Sequence, residues 1–321
     1  MIKYKNFLTF EEQLDHLVNK RNFHISDRDK LNLYLKNYNY QNFINGYNDP
    51  FMKGFRRQNN TYLDEIDERC IISLFDFDKM LASQILFFIQ NIERKFNTSL
   101  CYVIAKEMKN INYINGNILE IKNNDFSKIF ETKNSKNIES IKKDLLDKIS
   151  EQRNSEIIQK YKNNFQKTPI WTISLILSFG DVLKLFGKLR STIKEEIYKL
   201  LFNDKFEDPK TFESIMLFLK NIRNRCCHNN VVYKINTSKN SKLITSFLIK
   251  NKLNTSKSNK SNKIRIFDAI KIIDYLLADE KIFFNLKKTI ENYLDEYILS
   301  NKYIPEISKN EICRIMNYEK N

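Results

Sequence analysis

Leu74, Phe77, Leu81, Ile85, Phe88, Ile92 and Phe96 recur at steps of three and four. At about 3.6 residues per turn this spacing builds one apolar stripe along a long helix, predicted here from Thr61 to about Met108. Little in the rest of the chain interrupts such helices. There are five glycines and four prolines in 321 residues, too few for a β-rich fold with many tight turns. The same scarcity removes phosphate-cradling loops: neither GxxxxGK[ST] nor GxGxxG is present, which excludes a P-loop nucleotide machine. The expectation is an all-α fold.

Further helices follow along the chain. TFEEQLDHLVNK (9–20) opens with Thr9 and has Glu12 three residues on, a capping-box pattern. Residues 26–36 read as a second short helix with a Ser cap, and 38–51 as an irregular aromatic patch. Residues 109–134 are polar and Asn-rich and read as a loop with short pieces of structure. Residues 135–162 read as a charged helix. Pro169 opens a helix from Trp171 to about Leu189 with Gly180 inside it, and Trp171 and Phe179 read as core aromatics by their helical spacing. Segments 191–203 and 208–228 are two more helices, and 265–277, 279–300 and 308–317 close the chain. No internal repeat and no clean linker appears. The organisation is therefore read as one domain, 1–321: an N-terminal helical and irregular subregion (1–60), a core bundle (61–230), a mobile Lys/Ser/Asn-rich loop (231–265) and C-terminal helices (266–321).

The formal net charge is +15. Part of the lysine count is the codon bias of an AT-rich genome, but so basic a chain suits a polyanionic partner, nucleic acid first, with a solvated lysine surface as the alternative. The five cysteines, at 70, 101, 226, 227 and 313, are odd in number and contain no CxxC, which points to reduced thiols and a cytoplasmic setting. MIKYKNFLTFEEQ has no apolar signal region. IWTISLILSFG (170–180) is too short to cross a bilayer. No membrane partner is expected.

The stretch NIRNRCCHNN (221–230) contains one of three histidines. On its helix Phe212, Ile215, Leu219, Ile222 and Cys226 form the core stripe. At about 100° per residue, Asn224 and His228 stack on a face roughly 160° away, with Arg223 on the flank. Cys226, Cys227 and His228 cannot converge on one tetrahedral ion, because neighbours on a helix diverge by about 100°. No metal and no cofactor is expected; Cys226 reads as a core residue and Cys227 as a flank residue.

Two readings of His228 stay open: an exposed helix-end histidine suited to the negative end of the dipole, or a catalytic imidazole. The chemistry that fits the second is RNA cleavage. RNA carries its own nucleophile, the 2′-OH. An imidazole moves protons near neutrality, an arginine offers charge and paired donors to phosphate, and an asparagine amide orients them. One histidine does not conveniently serve both sides of a phosphate. RNFH (21–24) is two residues short of the same spacing, so the second histidine is expected from a second copy in a two-fold homodimer. Lys220 and Arg225 beside the motif, Arg56 and Arg57, Arg94 and Lys95, and the lysine-rich 251–265 are candidate RNA contacts; a solvated surface explains them as well.

Arg223-Asn224-x-x-x-His228 resembles the R-N-x-x-x-H motif of the HEPN superfamily of helical ribonucleases. More narrowly, the chain resembles the Abi-like (AbiD/AbiF) family of bacterial phage abortive-infection proteins. TFEEQLDHLVNK and YLKNYNYQNFINGY resemble that family's opening patterns. LDEIDERCIISLFDFDKML (63–81) resembles its L-Y-x-F-D-x-x-L block, with Phe75 at the usual Tyr and Phe77-Asp78 as its F-D. FIQNIERKF (88–96) and PIWTISLILSFGDVLKLF (169–186) resemble its I-E helix and its P-x-W…F-G block. The similarity spans about 7 to 230. Ser174 stands near a usual acidic residue, and Cys227 where alanine is usual. The resemblance implies a HEPN-type helical bundle with additional N- and C-terminal helices. It further implies a dimeric, metal-independent endoribonuclease toxin with Arg223, Asn224 and His228 as catalytic residues, leaving a 2′,3′-cyclic phosphate and a 5′-hydroxyl. A small noncoding antitoxin RNA is a further implied partner.

Overall fold

The computed structural model describes residues 6–54, 61–131, 135–165, 168–253, 263–279 and 285–319. The fold is all-α. The chain divides into two compact units, Met1–Phe87 with Ile222–Asn321, and Phe88–Asn221.

The first unit begins with α1 (Phe10–Arg21), whose capping box pairs Thr9 with Glu12 as its sequence predicts. The second helix, α2 (Arg28–Tyr38), starts two residues later than expected. Asp27 caps it by accepting the Lys30 amide at 2.9 Å. Ser26 is taken by Glu68, whose carboxylate accepts the amides of Ser26 and Asp27 at 2.9 and 3.0 Å. The patch expected to be irregular is in fact helical, α3 (Tyr40–Tyr47), followed by a short 3-10 turn (Asp49–Phe51). Asn39 caps α3 by accepting the Asn42 amide. Phe43 and Tyr47, four apart, are buried on one face. The long helix α4 (Glu68–Asn110) follows. Every member of its predicted stripe is buried. It starts seven residues later than predicted because Tyr62 instead forms a β-bridge with Met52. Around Phe75 of α4 gather Tyr34, Tyr38, Phe43 and Tyr47, with ring centres 4.6–6.0 Å away, within the range of favourable aromatic pairing.

The second unit takes α4 from Phe88 onward and adds α5 (Asn123–Ile129), α6 (Ser135–Glu151), α7 (Glu156–Phe165), α8 (Ile170–Ile173), α9 (Phe179–Gly187), α10 (Ser191–Phe202) and α11 (Pro209–Cys227) up to Asn221. The charged segment is thus two helices, parted at 152–155. Its core centres on Phe96, which meets Phe186 and Phe212 at 5.4 Å each and Phe179 at 6.5 Å.

The helix expected from Trp171 to Leu189 is broken. A turn at 174–176 ends α8, and Ser178 starts α9 with a capping box to Asp181. Gly180 is therefore in the first turn of a new helix, not inside a long one. The break also corrects the reading of Trp171. Phe179 is buried, but Trp171 remains 45% exposed, because its register is no longer tied to the buried face of α9. Its ring lies over Gly116, whose carbonyl accepts the Ile170 amide at 2.9 Å. Gly116 has φ +69°, and an added Cβ would fall 2.1 Å from the indole Cζ3. Gly116→Ala is therefore expected to destabilise the protein by about 2 kcal/mol, combining left-handed strain with overpacking; a shift in the urea midpoint would measure it.

The chain then returns to the first unit. The stretch 231–265 contains α12 (Ser241–Lys250) and a two-residue antiparallel ladder, β1 (Asn236–Thr237) with β2 (Ile264–Arg265). Ile244, Phe247 and Leu248 give α12 its buried face. Residues 254–262 of the predicted mobile loop lie outside the described residues. Next come α13 (Ile266–Leu277), α14 (Leu286–Leu294) continuing into a π-turn (Asp295–Leu299), and α15 (Glu306–Met316). Of the helix expected over 279–300, the described part begins with the Asn285 cap of α14, and residues 280–284 lie outside the described residues. Among the described residues no helix is long and apolar enough to cross a membrane.

Candidate functional site

The site is built on the last turn of α11. Ile222 and Cys226 are buried and hold this turn to the first unit. Arg223 and Asn224 are half-buried, while Arg225, Cys227 and His228 are exposed. His228 thus faces away from its own helix's core, as the angular argument predicts. The Arg223 Nη1 donates to Asn224 Oδ1 at 3.4 Å. The imidazole of His228 makes no hydrogen bond among the described residues.

How the helix stops decides where His228 stands. The His228 amide closes the last regular bond, to Asn224 O at 3.1 Å. Asn229 then turns left-handed, with φ 53°. The Asn229 amide bonds Cys226 O at 3.3 Å, and the Asn230 amide bonds Arg225 O at 3.1 Å. This pair of bonds is a Schellman motif with His228 as its C-cap, and asparagine is the residue after glycine that best tolerates the left-handed position.

The segment that follows is held from α4. Asp78 is fully buried. Its Oδ1 accepts the amides of Val232 at 3.0 Å and Tyr233 at 2.5 Å, and its Oδ2 accepts the Tyr47 hydroxyl at 2.6 Å. Burial pushes this carboxyl up from the usual carboxylate range, against the pull of the Tyr47 hydroxyl, the two amides and Lys79. Lys79, the next residue, donates from Nζ to Asn229 O at 3.1 Å. Two neighbouring residues of α4 therefore grip the chain one, four and five residues beyond His228.

Asp78, the acidic half of the Phe77-Asp78 pair, acts here as an anchor. Its signal was present: an acidic residue one position from Phe77, and four and three from Leu74 and Leu81, lies on the buried stripe. A carboxylate there needs buried donors. Which donors it would find, some 150 residues along the chain, is not written in local spacing.

Of the other basic candidates, Arg94 and Lys95 lie on α4 in the second unit, as does Lys220 on α11. Arg94 donates to Asn91 Oδ1. Arg56 and Arg57 lie outside the described residues. No group of three or more His, Cys, Asp or Glu side chains suited to a metal ion occurs among the described residues.

The cysteines differ in a way that can be measured. Burial pushes the thiols of Cys70, Cys101 and Cys226 up to about 11, 12 and 12, whereas Cys227 is exposed. Thiolate is the reactive form. Near neutral pH a disulfide reagent is expected to label Cys227 in the native protein and to reach those three only after denaturation, as peptide mapping would show.

A family model described as Abi-like protein matches residues 33–234, a span that includes Asp78, Lys79, Arg223, Asn224 and His228. No curated protein and no solved structure matches the chain.

Proposed function

Because the chain belongs to the Abi-like protein family, which is associated with abortive infection in phage defence, we propose that it is an endoribonuclease toxin of the HEPN type. The observation that carries this reading is that an exposed His228 follows Arg223 and Asn224 on one helix end whose termination is locked from two sides. Preorganisation of this kind is what acid–base and electrostatic catalysis require.

In the proposed reaction the RNA 2′-oxygen attacks the adjacent phosphorus. The 2′O–P bond forms and the P–5′O bond breaks. One imidazole takes the 2′ proton and a second gives a proton to the leaving 5′-oxygen. The two come from His228 of two copies related by a two-fold axis. Arg223 offsets charge on the phosphorane, and the Asn224 amide orients its neighbours. The products are a 2′,3′-cyclic phosphate and a 5′-hydroxyl. No step calls for a metal.

Two measurements test this. RNA incubated with the protein in a chelator is expected to gain cyclic-phosphate ends, and a 2′-deoxy strand of the same sequence to stay intact. Sedimentation of the active protein is expected to give a dimer; a fully active monomer would overturn the composite site. The +15 charge also favours a second reading, an RNA-binding module that grips a small noncoding RNA with little or no cleavage. RNA binding without any cyclic-phosphate product would favour that one.

A further inference from the structure

Resting on the reading of α11 as an RNA-cleaving helix end, we infer that Lys79 is a further phosphate-binding residue of that site, supplied by α4 rather than by the R-N-x-x-x-H motif. Its ammonium is held by the carbonyl of Asn229, the residue next to His228. It lies 5.1 Å from the centre of the Phe75 ring, which is itself fixed in the aromatic cluster. The carboxylate adjacent in sequence, Asp78, is turned inward and taken up by Tyr47, Val232 and Tyr233. The one side-chain hydrogen bond of Lys79 among the described residues is thus to a backbone carbonyl, leaving its other two N–H donors for a ligand.

The placement has a physical logic. A carbonyl and an aromatic face fix the position of a lysine without neutralising its charge. A carboxylate partner would cancel that charge. The result is a cation fixed against the carbonyl of the residue that follows His228, placed to meet a phosphate of a bound RNA. Arg223 belongs to α11 and Lys79 to α4, so an RNA backbone bound at this helix end would meet cations from two elements.

A lysine at a helix C-terminus also complements the dipole, so the test must read ligand charge and not stability. The probe is a short mixed-sequence single-stranded RNA, bound to the His228→Ala protein so that it stays whole. The comparison adds Lys79→Gln, whose amide can still donate to the Asn229 carbonyl, and Lys79→Arg, which keeps the charge. For each protein log Kobs is plotted against log salt. Loss of one phosphate contact makes the slope shallower by about 0.7 for a single strand. Lys79→Gln is expected to show that change, with weaker binding at low salt. Lys79→Arg is expected to restore the slope. Binding with the same slope in all three proteins overturns the inference while leaving the proposed function standing. No RNA binding by any of them overturns the RNA reading of the site and the inference with it.

Discussion

His228→Ala is expected to abolish RNA cleavage while leaving the fold intact. The imidazole is exposed and makes no hydrogen bond among the described residues, so its removal leaves no cavity and no orphaned partner. The C-cap bonds of residue 228 use its backbone amide, which alanine retains. The thermal midpoint should therefore stay close to wild type. Cleavage should fall steeply, because loss of a positioned proton-transfer group lowers rates by about 10²–10⁴-fold. In a two-fold site one substitution removes both imidazoles at once, which places the effect at the upper end of that range. Expression in a bacterial host reads the same difference as restored growth. If wild type and variant are equally harmless and no cyclic-phosphate ends form, the ribonuclease reading fails. Arg223→Lys is a finer probe: the charge survives but the paired donors do not.

Asp78→Ala is expected to give the largest loss of stability among single substitutions near the site. The carboxylate satisfies two backbone amides and a tyrosine hydroxyl in the buried interior. Each buried donor left without an acceptor costs about 1–3 kcal/mol, so the total is on the order of 4 kcal/mol. The freed segment begins four residues after His228, so cleavage should fall as well. Asp78→Asn separates charge from hydrogen bonding. Its carbonyl oxygen can accept both amides, and its NH2 can donate to the Tyr47 hydroxyl. Burial raises the Asp78 carboxyl, which means folding favours its protonated form. The stability this group contributes is fully present below its unfolded value near ~3.9 and is lost as pH rises through its folded-state value. Asparagine holds the neutral form at every pH. The asparagine variant is therefore expected to lose less than about 1 kcal/mol and to lack that dependence on pH. Urea midpoints from acid to neutral pH would show both; an asparagine variant as unstable as the alanine variant would mean that the charge itself holds the segment.

Much of the fold was legible in the sequence where a helix signals locally. The Thr9–Glu12 capping box, the 74–96 stripe and the 208–228 stripe each specify an element and its buried face within a few turns. The misses share a cause. Tyr40–Tyr47 looked irregular because its asparagines and aromatics have low helix propensity, yet the Asn39 cap and the burial of Phe43 and Tyr47 decide it. The 171–189 pattern looked continuous because apolar residues fill both α8 and α9. The Ser178 capping box, legible in hindsight as Ser-x-x-Asp, breaks it and leaves Trp171 half in solvent.

The sequence by itself determined the helical class, the face of α11 on which His228 stands, and the exclusion of Cys226, Cys227 and His228 from one metal ion. These follow from helical periodicity, which relates residues only a few positions apart. Tertiary structure alone decided what holds that face still. The grip of Asp78 and Lys79 on residues 229, 232 and 233 joins positions about 150 apart. Such a pairing is set by burial and by the need of every buried polar group for a partner, which no local spacing encodes.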